Sequence, residues 1–135
     1  MTFTVTVSRK APARYELTSH SGCDALNPKE LLLLSAALCA SHTLEYELRR
    51  RHVTPQRMEL TLSGELSTPT LRPEGHFTSF HVAYNVACNT LEEQERVGEA
   101  VRETQERACG LLVMLRKIAP TTSEVAIVST EERDR

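Results

Sequence analysis

Four cysteines and five histidines are the residues of this 135-residue chain best suited to chemistry, and two of the cysteines stand in matching surroundings. Cys39 closes the apolar run LLLLSAALCA, and His42 follows three residues later. Cys109 opens a second apolar run, CGLLVML. A thiol at the margin of a greasy segment is shielded enough to be selective and open enough to meet a substrate. It reacts as the thiolate, so positive charge or hydrogen-bond donors must lie close by. The competing use of such a residue, as a small buried hydrophobe, is common. On a helix His42 neighbours Cys39, where it either serves the thiol as a base or stands on the surface, the simpler reading. Cys23, in a loop-like stretch, and Cys88, at a strand end, have no local partner. His20-x-x-Cys23 together with Cys39-x-x-His42 makes a two-Cys, two-His set of the kind zinc takes. The second pair lies inside a helix, however, without the knuckle that zinc pairs use, and no metal is expected.

The elements that carry these thiols follow from pattern. Residues 2–9 alternate, with Phe3, Val5 and Val7 on one face, and predict a strand; residues 14–19 predict a second, shorter one. SHSGCDALN reads as a loop. Asn27 is a good N-cap, Pro28 suits the first helical position and Glu30 completes a capping box. Arg49, Arg50 and Arg51 suit the far end of the helix dipole, and Thr54-Pro55 stops the helix. Its length, roughly 23 residues, corresponds to about 35 Å. Its first half is apolar all round and is expected to be buried on every side; its second half, EYELRRRH, is expected to emerge into solvent. Alternation at 57–66 and 76–87, separated by STPTLRPEG, predicts a hairpin. Thr90 and Glu93 form a second capping box. A helical stripe follows at Val97, Val101, Thr104, Ala108, Leu111 and Leu115, with Gly110 as a bend or break. Residues 124–129 predict a closing strand, and the tail EERDR is expected to fray.

The order predicts a single α+β domain over 1–135 with antiparallel pairing. One small sheet covers one side of an all-apolar helix, so a second copy of the chain is expected to cover the other.

Composition narrows the function. Hydrophobic residues make up 40% and charged residues 25%, while aromatics reach only 4% with no Trp, so the core is aliphatic. A net charge of -2 argues against a nucleic-acid or anionic-membrane partner. The apolar run at 31–40 is too short for a bilayer, which needs about 20 residues. The alternating N-terminus does not read as a secretory signal, so the expected address is the cytoplasm, where cysteines are more often free, metal-bound or redox-active than paired. No phosphate loop or nucleophile elbow is present, and no cofactor is expected.

At the level of whole segments, NPKELLLLSAALCASHTLEYELRRR resembles the central helix of the OsmC/Ohr family, the osmotically inducible protein C and organic hydroperoxide resistance proteins. There a Pro-x-Glu-Leu-Leu-type start leads to a cysteine further along the helix. ETQERACGLLVMLRK, after a helix begun by NTLEEQERV, resembles that family's second cysteine site. The resemblance spans nearly the whole chain. It implies an OsmC-like fold, antiparallel sheets around a long buried central helix, in an intertwined homodimer with two sites at the interface. It also implies a thiol peroxidase in which Cys39 attacks the peroxide and becomes sulfenic acid, Cys109 resolves it to a disulfide, and an external dithiol reduces the disulfide. An apolar pocket would suit organic hydroperoxides. The alternative on the same fold is a non-enzymatic protein that binds a small apolar ligand and keeps inert thiols. Two departures bear on the choice. Hydroperoxide-resistance members carry a glutamate directly after the helix-start proline, where it orients an arginine at the thiol. Here that position is Lys29, and Glu30 is one step, about 100°, further round. Arg14 is the candidate arginine. Glu30, His42, Arg14 and Lys29 are therefore the candidate supports for the thiolate, and Cys109-Gly110 replaces the family's common Cys-Pro.

Overall fold

A computed structural model describes residues 1–130; the tail expected to fray, 131–135, lies outside the described residues. Strands β1 (Thr2–Ala11) and β2 (Arg14–Leu17) form a hairpin, and a short 3-10 turn (Cys23–Ala25) leads into α1 (Pro28–Arg50). Strands β3 (Arg57–Leu66) and β4 (Phe77–Cys88) follow, then α2 (Glu93–Glu103), a π-helical turn (Thr104–Ala108), α3 (Gly110–Ile118) and β5 (Thr121–Ser129). One sheet of order β2-β1-β3-β4-β5 carries the helices on the face presented by Phe3, Val5, Val7, Met58, Leu60, Leu62, Phe80, Val82 and Tyr84, all buried. The opposite face is polar, and its hydroxyls bond across strands: Thr4 to Ser63 at 3.1 Å, Thr6 to Thr61 at 2.9 Å. Gly64, paired between Phe3 and Phe80, leaves room for a ring. A Cβ there would come within 2.5 Å of Phe77 and 3.3 Å of Leu33.

The α+β class holds, but the pairing is mixed. β1–β2, β1–β3 and β3–β4 are antiparallel, whereas β5 runs parallel to β4. The reason is the connection: the α2–α3 helical crossover returns the chain to the end from which β4 set out, and such a crossover joins parallel strands.

The start of α1 is built as its residues predict. Asn27 Oδ1 accepts the Glu30 amide at 2.9 Å, and Glu30 Oε1 accepts the Asn27 amide at 3.0 Å, a reciprocal cap worth about 1 kcal/mol. Thr90 and Glu93 make the same exchange before α2, at 3.0 and 3.2 Å.

In α1 the single chain leaves two leucines of the first half uncovered, and the expectation for the second half needs correction. Its apolar half buries Leu33, Leu34, Ala36, Ala37 and Ala40 in the chain's own core, yet Leu31 and Leu32 are each 39% exposed; one chain does not bury this half on every side. Its polar half does not emerge freely either. Glu45 and Glu47 are only 5% and 2% exposed, because each carboxylate finds enough donors to sit below the surface. Glu45 accepts Arg9 Nε at 2.9 Å, the Ala13 amide at 3.1 Å and the Tyr15 hydroxyl. Glu47 accepts Arg51 Nη1 at 2.8 Å and Arg50 Nη1 at 3.2 Å. Ala13, at φ 60, holds a left-handed conformation that costs a non-glycine residue roughly 1–2 kcal/mol, and the bond from its amide to Glu45 ties that turn of the β1–β2 hairpin to α1.

The second helical stripe changes face partway. Cys109 N bonds Thr104 O at 3.3 Å, five residues back, which inserts one extra residue into the turn. Ala108, expected inside, is exposed and Leu111 is half-buried, while Cys109, Leu112 and Leu115 take the buried positions. The helix breaks at Cys109, and Gly110 begins α3 in the open.

Candidate functional site

Cys39 and Cys109, 70 positions apart in sequence, come together where α1 passes the junction of the π turn with α3. Cys39 is half-buried against the core and Cys109 is 0% exposed within it. The two thiols lie close enough to act on each other's charge. Burial pushes the Cys109 thiol up, the backbone amides of Leu112 and Leu111 at the start of α3 draw it down without closing a cap bond, and the neighbouring Cys39 raises it again, to about 11 overall. At neutral pH Cys109 is therefore a protonated thiol. Tyr84 lies beside it: burial first, then the charge of a Cys109 thiolate, push the phenol well above its ordinary value, against the pull of Arg116.

Cys39 lies along one helical face with Leu32, Ser35, His42 and Tyr46, spaced by threes, fours and sevens. Those four are exposed. On α3, Met114 and Ile118 are 51% and 60% exposed. The thiol pair thus stands at the boundary between the chain's own core and the exposed side of α1.

Among the described residues, none of the four candidate supports is bonded to the Cys39 thiol. Lys29 Nζ donates to the backbone oxygens of Arg72 and Pro73, at 2.6 and 3.5 Å, and so pins the β3–β4 loop to α1. At ten residues, about 15 Å along the helix, it is remote from Cys39. Beside it, an apolar recess of about 460 Å³ is lined by Asn27, Pro28, Lys29, Leu71, Arg72 and Pro73. Glu30 is occupied by its cap and by His20 Nε2 at 3.1 Å. His42 turns edge-on to the Tyr15 ring, centroids 4.7 Å apart, as a surface histidine would. Arg14 is exposed at the first position of β2 and makes no ion pair among the described residues. The arginine that β1 does supply, Arg9, is spent on Glu45. His20 and His42 are thereby drawn apart from the two-Cys, two-His set, and among the described residues no three His, Cys, Asp or Glu gather as a metal site would require.

Arg116 stands near Cys109 in the sequence itself, but sequence reasoning missed the part of Tyr84 and Gln105 beside it. Tyr84 was legible only as an inward-facing strand residue, and Gln105 as a polar residue inside a helix. Neither carries a signal until the chain folds.

Comparison with known proteins agrees with this architecture. The family model described as OsmC-like protein matches residues 20–124. The chain belongs to the OsmC-like family. No curated protein matches it. Among solved structures it is similar to an OsmC-like protein from Mycoplasma pneumoniae, at 14% identity and TM-score 0.64 over 95% of this chain and 96% of that one. A hypothetical protein from Aquifex aeolicus VF5 matches at 21% identity and TM-score 0.61, over 95% and 96%. An organic hydroperoxide resistance protein OsmC from Legionella pneumophila, described as a predicted redox protein, matches at 17% identity and TM-score 0.55, over 92% and 96%. At these identities the likeness is one of fold.

Proposed function

We propose that the chain is a thiol peroxidase that reduces organic hydroperoxides. The observation that carries this reading is the pairing of a half-open thiol with a buried, protonated one. In the first step the Cys39 thiolate attacks the outer oxygen of the hydroperoxide. The O–O bond breaks, the alcohol leaves after taking a proton, and Cys39 becomes sulfenic acid. In the second, the Cys109 sulfur attacks the sulfenic sulfur; an S–S bond forms, the S–O bond breaks, and the Cys109 proton departs with the hydroxyl as water. An external dithiol then reduces the disulfide by exchange. The exposed apolar side chains of α1 and α3, Leu32, Met114 and Ile118 among them, favour an apolar peroxide. Four free cysteines suit a reducing compartment such as the cytoplasm.

The working form is a homodimer. Leu31, Leu32, Met114 and Ile118 are exposed on the two helices that meet at the thiols, and a second copy laid over these helices would bury them. Light scattering should find the dimer at micromolar concentration; a stable folded monomer there would remove this part of the reading.

The test of the activity is a count of free thiols before and after one equivalent of cumene hydroperoxide. Loss of two thiols, with mass spectrometry placing a disulfide between Cys39 and Cys109, is the expected result. One observation favours the second reading, an apolar-ligand-binding protein with inert thiols: none of the candidate cations or bases is bonded to Cys39, and Lys29 is committed to the loop. All four thiols remaining free under excess peroxide would select it.

A further inference from the structure

A π turn is rare and needs a cause, and this one is gripped from two sides. Tyr84 of β4, 1% exposed, donates its hydroxyl to Gln105 Oε1 at 2.5 Å. Arg116 reaches back from α3 to donate Nη1 to the Gln105 backbone oxygen and Nη2 to that of Glu106, at 2.5 Å. Gln105 is thus held by its side chain from the sheet and by its backbone from the helix that follows Cys109. Burying a phenol and an amide in an aliphatic core costs desolvation that an apolar pair would avoid, and the peroxidase steps above use neither group.

The geometry of the turn suggests their use. Winding the π turn back to a regular helix would remove one residue from it and rotate all that follows by about 100°. Ala108 would then occupy the inward place that Cys109 now holds, and Cys109 would swing away from Cys39. The turn, and the bonds that hold it, therefore set the direction of the Cys109 sulfur. Resting on the peroxidase reading, we infer that Tyr84, Gln105 and Arg116 are positioning residues for the resolving step, a clamp that keeps the Cys109 sulfur against Cys39 while Cys39 carries its sulfenic acid. The clamp acts on closure of the disulfide and leaves the attack on peroxide to Cys39.

Oxidised glutathione tests this without peroxide. The Cys39 thiolate displaces one glutathione thiolate and forms a mixed disulfide. Cys109 then attacks the Cys39 sulfur, releasing the second glutathione and forming the internal disulfide. The ratio of internal to mixed disulfide, at fixed reduced glutathione, measures the effective concentration of Cys109 at Cys39. Two variants probe the two grips: Tyr84→Phe with Gln105→Met, which leaves neither buried group unsatisfied, and Arg116→Met at an exposed site. Each should lower the ratio by about tenfold or more, the scale on which small misplacements act, while melting cooperatively like the wild type. A ratio unchanged from wild type in both variants overturns the clamp. Turnover of cumene hydroperoxide by the wild type is followed in parallel: its absence would sink the peroxidase reading, yet the glutathione ratio would still decide the clamp.

Discussion

The middle of α1 and its C-terminal part deal with their unusual residues in opposite ways. Towards the C-terminal end, Glu45 and Glu47 are charges sunk below the surface, and each is answered from within the chain by two or more donors. At Cys39, two turns earlier, the group that meets the thiol among the described residues is another thiol, and further up the helix Leu31 and Leu32 stay uncovered. The C-terminal part is closed on itself and holds the fold. The middle is left incomplete, as a site must be if a substrate and a second copy are to complete it. Substitutions in the two parts should therefore fail differently, one in stability and the other in chemistry.

The largest expected contrast is at the thiols. Cys39→Ser should abolish reaction with cumene hydroperoxide while leaving the melting temperature nearly unmoved. Cys109→Ser should react once and stop as sulfenic acid on Cys39, visible by mass spectrometry with a sulfenic-acid trap. A Cys39→Ser protein that consumes peroxide as fast as wild type would reverse the assigned roles.

Glu45→Ala should do the reverse, sparing the thiols and lowering stability by about 3 kcal/mol, since it strands Arg9, Tyr15 and the Ala13 amide around an empty place. Urea denaturation gives the figure. A loss under about 1 kcal/mol would class Glu45 with ordinary surface pairs and dissolve the contrast between the two parts of α1.

Further up the helix, Leu31→Asp with Leu32→Asp should leave the protomer folded and weaken self-association by about 3 kcal/mol, roughly a hundredfold. Analytical ultracentrifugation would read this as a shift to monomer; association as tight as wild type would move the dimer interface elsewhere.

The smallest and most graded effect is with pH. Burial raises the Glu45 carboxyl, but bonds from Tyr15, Arg9 and the Ala13 amide outweigh it; burial likewise raises Glu47, and Arg51 and Arg50 outweigh that. Both carboxyls so titrate below their ordinary value of 4.5 in the folded chain. The unfolded chain takes up their protons first, so their contribution is whole above that value and drains away as pH falls through the folded values. Cys109 has the opposite sign: raised from 9.0 to about 11, it favours the fold below its ordinary value and ceases to do so as pH climbs through the raised one. Melting temperature against pH should therefore fall on both sides, and Glu45→Ala should flatten the acid side alone. An unchanged acid side in that variant would place the acid sensitivity elsewhere.

Much of this was legible along the chain. The cap at Asn27 and Glu30, the alternation of 57–66 and the second cap at Thr90 and Glu93 are local matters, settled by residues within a few positions of one another. The two cysteines with their contexts, and the family they resemble, were legible too. The register of a π turn was not, since a regular stripe through Ala108 and Leu111 looks the same in sequence as one interrupted by an inserted residue. Nor was the burial of Glu45, whose donors Arg9 and Tyr15 lie more than 25 positions away.

The sequence alone thus determined the elements and the two thiols, because periodicity, capping and residue type act over short range. Only the tertiary structure decided that β5 runs parallel to β4, that Lys29 pins a loop, and that Cys109 rather than Ala108 faces Cys39. Each of these depends on which distant groups meet, and a hydrogen bond or a packed face has no meaning until both partners are in place.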